Sequence, residues 1–197
     1  MKGKRLFAQA RLFDELIAIS STEAGEKFFL GFANVINAMR KCSKLIIGRV
    51  QGKAVGGGVG LAAACDYCFA TEQASIKLSE FTIGIGPFVI APAVARKMGV
   101  TALSELTLDA INWQNAYWAK EKGLYAKVFE SMKEMDKEVD YLALKLSQYN
   151  QEALKEMKKV LWEGTQNWDV LLEERAKISG KLVLSEATKS ALLKFKK

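Results

Sequence analysis

The chain has 197 residues, half of them hydrophobic, which is enough to form the core of one domain with a smaller appendage. It contains no histidine, and this excludes Ser-His-Asp and Cys-His catalysis together with the common zinc sites. Any acid–base chemistry must therefore use Asp, Glu, Lys, Tyr or Cys. The formal net charge of +7 is scattered along the chain, so it indicates either a lysine-rich surface or an anionic partner such as a phosphorylated small molecule.

The cysteines do not form a recognisable metal or disulfide framework. Cys65 and Cys68 have CxxC spacing, but Cys42 is the only other thiol, so we interpret the pair as small core residues and expect no metal. No nucleic-acid-binding motif is visible. The first residues are not followed by the apolar region of a signal peptide, and no uncharged stretch reaches the length of a membrane span. These features predict a cytoplasmic protein with neither nucleic acid nor membrane as a partner.

Helices and strands are predicted to alternate up to about residue 130. Ser20 and Glu23 have capping-box spacing, which predicts the start of a helix whose apolar face includes Phe28, Phe32 and Ile36. The elements that follow are predicted as a strand at 45–50, a helix at 58–64, strands at 66–70 and 75–78, helices at 92–98 and 113–122, and a strand at 124–129. This alternation favours an α/β fold with a parallel or mixed sheet.

The pattern becomes entirely helical after residue 130. Ser131 and Glu134 have capping-box spacing, and further helices are predicted at 151–163, 168–179 and 186–195. We therefore divide the chain into an α/β part at 1–130 and a helical domain at 131–197. The apolar faces of these helices exceed what a small helical cap can bury alone, so we expect self-association, which sedimentation of the intact protein would measure.

Glycines interrupt an apolar run at "RVQGKAVGGGVGLAAACDYCFA", which contains Gly56, Gly57, Gly58 and Gly60. Each glycine inside an ordered element costs about 0.5–1 kcal/mol relative to alanine. A strand, a glycine turn and a helix leave backbone N–H groups free at the helix N-terminus, where they bind an anion or a developing negative charge. The dinucleotide pattern G-x-G-x-x-G is absent. Close packing of helix on strand without a ligand is the alternative, and the spacing alone leaves both readings open.

The longer segment "QGKAVGGGVGLAAACDYCFATEQASIKLSEFTIGIGPFVIAP" resembles the core signature of the crotonase superfamily, the enoyl-CoA hydratase/isomerase family. The shared features are the Gly-Gly-Gly turn, an Ala-rich helix ending in Cys-Asp, and a glutamate four residues before a glycine, with proline soon afterwards. Those last positions are Glu80, Gly84 and Pro87. The segments "NAYWAKEKGLYAKVF" and "SQYNQEALKEMKKVL" also resemble family segments. The match extends over nearly the whole chain from Phe13.

The resemblance implies a fold and a substrate class. The fold would be a crotonase-type α/β spiral of ββα units, incomplete at the amino terminus, followed by a C-terminal helical domain. Family members usually form trimers that pair into hexamers, so a homotrimer or hexamer is expected of the intact protein. The substrate would be an acyl-CoA thioester. No cofactor is expected beyond the coenzyme A that the substrate carries, and the basic charge balance suits its phosphates.

The resemblance also implies roles for individual residues. Gly57 would supply one N–H of an oxyanion hole that holds the enolate of the thioester, and Glu80 would move protons. The substrate pocket would include Gly56, Gly58, Gly60, Gly84 and Pro87. The alternative for Glu80 is a solvated surface position, against which its apolar neighbours argue.

The number of glutamates bears on the reaction. Many hydratases of the family carry another glutamate three residues after the oxyanion glycine, and that position is Gly60 here. The combination of "GGGVGL" with "LSEFTIGIGP" resembles methylglutaconyl-CoA hydratases, which lack that glutamate. We therefore expect a 2-enoyl-CoA hydratase, and the resemblance suggests a branched or methylglutaconyl-type acyl chain. An enoyl-CoA double-bond isomerase of the same family also uses one carboxylate and is the alternative.

The amino terminus departs from the family pattern. The first oxyanion donor belongs to a segment of the type Phe-Cys-Ala-Gly-Ala-x-Phe/Leu, but "LFAQARLFDEL" takes its place, with Arg11 at the donor position and no strands before it. Codons for residues 6–13, read two nucleotides later, permit Phe-Cys-Ala-Gly-Ala-Ser-Phe. We therefore suspect a frameshift and an amino-terminally truncated member of the family. A catalytically inactive remnant that binds acyl-CoA is the third reading.

We predict that the chain as written has little or no hydratase activity. Loss of one oxyanion donor typically lowers kcat by about 10²–10³, and Arg11 adds a bulky cation where the thioester should lie. Deleting one base near the Phe13 codon and extending the gene upstream should restore both the segment and the activity. Sequencing the locus is the first test. An upstream region that soon meets stop codons in the displaced frame would contradict the frameshift.

Overall fold

The computed structural model of the chain describes residues 14–195, and it has the α/β architecture expected from the sequence. A helical turn at 14–17 comes first. The helices are α1 (Thr22–Lys41), α2 (Gly57–Ala64), α3 (Ala91–Leu108), α4 (Ala116–Glu121), α5 (Met132–Gln148), α6 (Gln151–Leu161), α7 (Trp168–Leu182) and α8 (Glu186–Phe195). The strands are β1 (Ile47–Val50), β2 (Lys53–Val55), β3 (Tyr67–Thr71), β4 (Ser75–Lys77), β5 (Gln114–Asn115) and β6 (Lys127–Phe129), and a 3-10 helix spans Glu80–Ile83.

The strands form two small sheets. The first is parallel, in the order β1-β3-β6, with Ile47 opposite Tyr67. In the second, β2 pairs with β4 in parallel, and β4 pairs with β5 in the antiparallel sense. Because β2 and β4 run in the same direction, their carboxyl ends meet at one edge of the sheet. The segments that follow these ends carry the glycine turn and Glu80, so this pairing places the two together.

Helix α2 contacts β1 of the first sheet and β2 of the second, and it is made almost entirely of small residues. Its buried residues are Val59, Gly60, Ala62, Ala63 and Ala64. Small side chains allow the backbone of α2 to approach α3 and α1 closely. Because these side chains bury little surface of their own, close packing against the neighbouring helices is what stabilises α2. The helix is therefore fixed by its neighbours, and its N-terminus is fixed with it.

Helix α1 begins one residue later than predicted. The structure has Ser21, not Ser20, as the N-cap, and the Ser21 hydroxyl accepts a hydrogen bond of 3.2 Å from the Ala24 N–H. Ser21 has the extended backbone conformation that lets an N-cap side chain reach the third amide of the helix. By contrast, the predicted capping box of Ser131 and Glu134 is confirmed, and it opens α5.

Three other predictions of secondary structure were incomplete. Strand β2 was not predicted, because a three-residue strand beside a glycine turn has no visible periodicity. The helix expected to end at Gly99 does leave helical geometry there, with a φ of +83°, and a second helical stretch that was not predicted continues to Leu108. The helix expected from Trp113 begins only at Ala116, because β5 pairs with β4 and Asn115 then caps the helix by accepting from the Trp118 N–H.

Helices α1 and α7 pack on each other through glycines. A Cβ added to Gly25 would lie 2.8 Å from the Gly180 carbonyl oxygen, and one added to Gly180 would lie 2.6 Å from the Glu26 nitrogen. The two backbones are therefore in direct contact. This approach brings Ser179 of α7 to the same region as the apolar face of α1, so the helical part of the chain contributes to the site described below.

A buried carboxylate connects the sheet to the helices that follow residue 130. Asp66 accepts hydrogen bonds from the Ile46 N–H (2.7 Å), the Lys158 ammonium (2.6 Å) and the Trp162 indole N–H (2.7 Å). The side chains of Asp66 and Lys158 are only 3% and 4% exposed. Arg96 covers the Trp162 ring at 3.9 Å from its centroid. A charge that is buried so completely needs all of these partners.

We predict that Asp66→Asn strongly destabilises the fold. The substitution would leave the Lys158 ammonium buried without a counter-charge, which typically costs about 3–5 kcal/mol. The free energy of unfolding from urea titration measures the effect. Glu173→Gln is the control, because it removes one partner of an exposed pair with Lys177 and should cost about 0.5 kcal/mol or less. Equal losses in the two variants would show that the Asp66 pair does not hold the helices in place.

Candidate functional site

The glycine turn leaves two amides open at the start of α2. Gly56 has a φ of +52°, a conformation that favours glycine, and its N–H donates to the Lys77 carbonyl at 3.0 Å. The N–H groups of Val59 and Gly60 both donate to the Gly56 carbonyl, and no side chain within residues 14–195 caps the helix. Among the described residues, the N–H groups of Gly57 and Gly58 therefore have no acceptor.

The Glu80 side chain lies directly against this turn. A Cβ added to Gly56 would be 2.6 Å from Glu80 Oε1, so only a hydrogen at that position leaves room for the carboxylate. Glu80 opens the 3-10 helix that follows β4, and the Glu80 carbonyl accepts from the Ile85 N–H at 3.1 Å. The turn and the carboxylate are thus held in contact by the ends of two paired strands.

Burial sets the acidity of Glu80. Its Oε2 atom is buried and has no hydrogen-bond partner among the described residues. Removal of a carboxylate from water disfavours its charged form, and this burial raises the pKa of Glu80 to about 7, against a smaller opposing effect from a backbone hydrogen bond. A carboxyl group with a pKa near neutrality is present in both protonation states at neutral pH, as a group that both accepts and donates protons requires.

Gly57 and Glu80 line the same small cavity. Its volume is about 50 Å³. The other lining residues are Phe29, Phe32, Gly86, Pro87, Phe88, Val89, Ile90 and Ser179. Of the residues predicted for the site, the structure therefore brings together Gly57, Glu80 and Pro87 around the cavity, with Gly56 in contact with Glu80. Gly57, whose N–H is free, and Glu80, whose pKa is raised, thus line one apolar space, and such a pair can polarise a carbonyl group and move a proton beside it.

The remaining predicted residues lie around this cavity and do not line it. A Cβ at Gly60 would be 2.4 Å from Ile90 Cγ2, so Ile90 occupies the space that a side chain there would need. Gly58 is exposed and faces Ala54. Arg11 lies outside the described residues.

Gly84 holds the 3-10 helix of Glu80 against the C-terminal helix α8. Its φ is +79°, and it ends the helix that Glu80 begins. The Thr188 hydroxyl, which is fully buried, donates to the Gly84 carbonyl at 3.0 Å. A Cβ at Gly84 would lie 2.6 Å from that hydroxyl oxygen. Gly84 therefore contributes to the site by letting α8 pack behind Glu80.

Sequence reasoning missed several residues that shape the site. Phe32 was assigned to the apolar face of α1, and the helical spacing of the apolar residues there could have suggested that Phe32 lines a cavity. Ile90, Ser179 and Thr188 carried no signal, because their contacts depend on how distant segments pack. Cys65 and Cys68 are buried in the core, where they were expected, and no group of three or more Cys, Asp or Glu within residues 14–195 could hold a metal.

Comparisons with known proteins identify the family and the fold of the chain. Residues 4–195 match the enoyl-CoA hydratase/isomerase family model, and the chain belongs to that family. Solved structures with a similar fold include an enoyl-CoA hydratase from Bacillus halodurans, at a TM-score of 0.83 and 20% identity over 92% of this chain and 74% of that one. An enoyl-CoA hydratase from Mycobacterium avium has a TM-score of 0.81 and 23% identity over 88% of this chain and 68% of that one. The crotonase-type fold is confirmed.

Curated relatives carry both kinds of activity in their names. A peroxisomal Delta(3,5)-Delta(2,4)-dienoyl-CoA isomerase of Arabidopsis thaliana is 33% identical over 112 residues, which are 55% of this chain and 39% of that protein. An enoyl-CoA hydratase of Alternaria alternata is 32% identical over 109 residues, which are 55% of this chain and 35% of that protein. The match spans less than half of the length of either relative. In the part of the chain that the structure describes, no helix is both long and apolar enough to cross a membrane.

We predict that Glu80 makes the fold less stable as pH rises from about 5 to about 8. The folded state holds a proton on Glu80 up to a pKa of about 7, whereas the unfolded state releases it near 4.5. The free energy of unfolding should fall over this range, by on the order of 3 kcal/mol at most. Glu80→Gln should remove this part of the slope, and the exposed Glu163→Gln should keep it. Unfolding measured at several pH values tests this, and parallel curves for the wild type and Glu80→Gln would refute it.

Proposed function

We propose that the intact protein is a 2-enoyl-CoA hydratase in which Gly57 stabilises the enolate oxygen and Glu80 moves the proton. The observation that carries the proposal is the shared cavity of a free amide and a buried carboxyl group with a pKa near 7. Membership of the enoyl-CoA hydratase/isomerase family supports it, and so does the hydratase name of a relative. The acyl-CoA substrate class rests on that family membership.

The reaction can be written with these two groups. A water oxygen attacks Cβ of the enoyl thioester while the Glu80 carboxylate removes a proton from the water. The electrons of the double bond move toward the thioester carbonyl, whose oxygen becomes negative and accepts a hydrogen bond from the Gly57 N–H. Protonated Glu80 then delivers the proton to Cα, and the carbonyl is restored. One water is added, and the enzyme returns to its initial state.

A double-bond isomerase is the second candidate, and the packing of Ile90 favours it. Ile90 fills the space beside Gly60, so no second carboxylate can be accommodated there to hold a water. Among the described residues that line the cavity, Glu80 is the only one with an ionisable side chain, and one carboxyl group suffices to remove a proton from one carbon and return it to another. The isomerase name of a relative is consistent with this candidate.

We predict that Glu80→Gln lowers kcat by a factor of about 10²–10⁴ with little change in the affinity for coenzyme A. The variant should be made in the protein with the restored amino-terminal segment, and Glu163→Gln is the exposed control. Absorbance of the conjugated enoyl thioester separates the candidates, because hydration removes the signal and isomerisation from a 3-enoyl thioester creates it. Near-normal turnover by Glu80→Gln would rule out the role of Glu80. A restored protein without either activity would contradict both candidates.

A further inference from the structure

Helix α8 is attached to the rest of the described chain by a narrow stripe of side chains. Thr188 is fully buried, and Leu192, one turn later on the same face of the helix, is 2% exposed. The charged side chains of α8 are exposed, namely Glu186, Lys189 and Lys194. A helix of ten residues is marginal on its own in water, so the docking of α8 depends on the contacts that this stripe makes.

The polar member of the stripe binds the end of the short helix that carries Glu80. The Thr188 hydroxyl lies 3.0 Å from the Gly84 carbonyl oxygen and 2.9 Å from the Leu182 carbonyl oxygen, so these two acceptors share its one proton. The Ser185 hydroxyl donates to Thr188 Oγ1 at 3.0 Å and accepts from the Thr188 N–H at 3.2 Å. Ser185 therefore leaves the Thr188 proton free for the two carbonyls.

Gly84 connects this hydrogen bond to Glu80 through the backbone. The Gly84 N–H donates to the Phe81 carbonyl at 3.1 Å, and the N–H of the next residue, Ile85, donates to the Glu80 carbonyl at 3.1 Å. A 3-10 helix of four residues has poor hydrogen-bond geometry of its own. The position of Glu80 therefore depends on what holds the carboxyl-terminal end of this helix, and the Thr188 hydroxyl is bound there.

From these contacts we propose that Thr188 is a positioning residue, which holds the short helix against α8 and thereby keeps the Glu80 carboxyl group against the glycine turn and away from water. The inference rests on the proposed function, because that function assigns proton transfer to Glu80. Thr188 is not among the residues that line the cavity, so it acts through Glu80 and not on the substrate. A threonine that only stabilised α8 would leave the ionisation of Glu80 unchanged.

The ionisation of Glu80 tests the proposal in the chain as it is, without turnover. Nuclear magnetic resonance of the carboxyl carbons in protein labelled with isotopic glutamate follows each titration, and the resonance that Glu80→Gln removes belongs to Glu80. In the wild type, burial raises the pKa of Glu80 to about 7. Thr188→Val replaces the hydroxyl with a methyl group, and we expect the proton affinity of Glu80 to fall by at least about tenfold, because water then reaches the carboxyl group.

Matched variants distinguish positioning from packing. Thr188→Ser keeps the hydroxyl and should keep the proton affinity of Glu80 within about threefold of the wild type. Thr71→Val is the control, because Thr71 is also fully buried but its hydroxyl has no hydrogen-bond partner among the described residues. Glu80 should titrate in this control as it does in the wild type. Ser185→Ala removes only the donor to Thr188 and should lower the proton affinity of Glu80 by about threefold.

Turnover by the protein with the restored amino-terminal segment gives a second measurement. Thr188→Val should lower kcat by about tenfold and change KM by less than about threefold, because the substrate contacts remain while Glu80 is displaced. Thr188→Ser should restore most of kcat, and Thr71→Val should leave both constants unchanged. Circular dichroism establishes that each variant is folded.

The outcomes separate this inference from the proposed function. An unchanged Glu80 titration in Thr188→Val overturns the inference, and if that variant does not fold, an unchanged titration in Ser185→Ala does so. An equal change in Thr71→Val also overturns it, because the loss of any buried hydroxyl would then have the same effect. A changed titration with wild-type kcat overturns the role of Thr188 in the reaction. If the restored wild type turns over no enoyl thioester, the proposed function fails, and the titrations alone decide whether Thr188 holds Glu80.

Discussion

The contact between Glu80 and the Gly56 backbone is the constraint on which the site depends. The carboxylate occupies the volume where any side chain at position 56 would begin. The same glycine turns the chain at a positive φ and receives both the Val59 and Gly60 amides on its carbonyl, which leaves the Gly57 amide unpaired among the described residues. One residue without a side chain thus orients the hydrogen-bond donor and admits the acid–base group. The cost of glycine at this turn is offset by a contact that no other residue allows.

This contact depends in turn on helices that are distant in sequence. The Gly25–Gly180 approach places α7 against α1, so that Phe32 and Ser179 reach the cavity together. Thr188 of α8 holds Gly84, which ends the short helix that begins with Glu80. The buried Asp66–Lys158 pair anchors α6 to the segment that precedes β3. The helices after residue 130 therefore complete the environment of Glu80, and the α/β part does not form the site alone.

The fold class and the positions of Gly57 and Glu80 could be predicted from the sequence because they depend on local patterns. The residues that reach the site through tertiary packing could not. Gly57 and Glu80 belong to local patterns, a glycine turn before an Ala-rich helix and a glutamate before Gly84, whose spacing along the chain is fixed by the elements themselves. Only tertiary packing brings three other residues to the site, namely Ile90, Ser179 and Thr188. Their residue types alone do not indicate that they lie there. The start of α1 was missed by one residue because Ser20 and Ser21 are chemically equivalent caps, and only the backbone conformation distinguishes them.

The apolar lining beside Glu80 accords with its acidity. A carboxyl group shifts its pKa toward neutrality when water is kept away from it, and the described residues that line the cavity with Glu80 are mostly apolar. Opening this site to water would hydrate Glu80 and return its pKa toward that of an ordinary glutamate. In a chain with no histidine, Glu80 is the one group among the described lining residues that can exchange protons near neutral pH. An apolar, poorly hydrated lining is therefore the physical counterpart of proton transfer by a single buried carboxyl group.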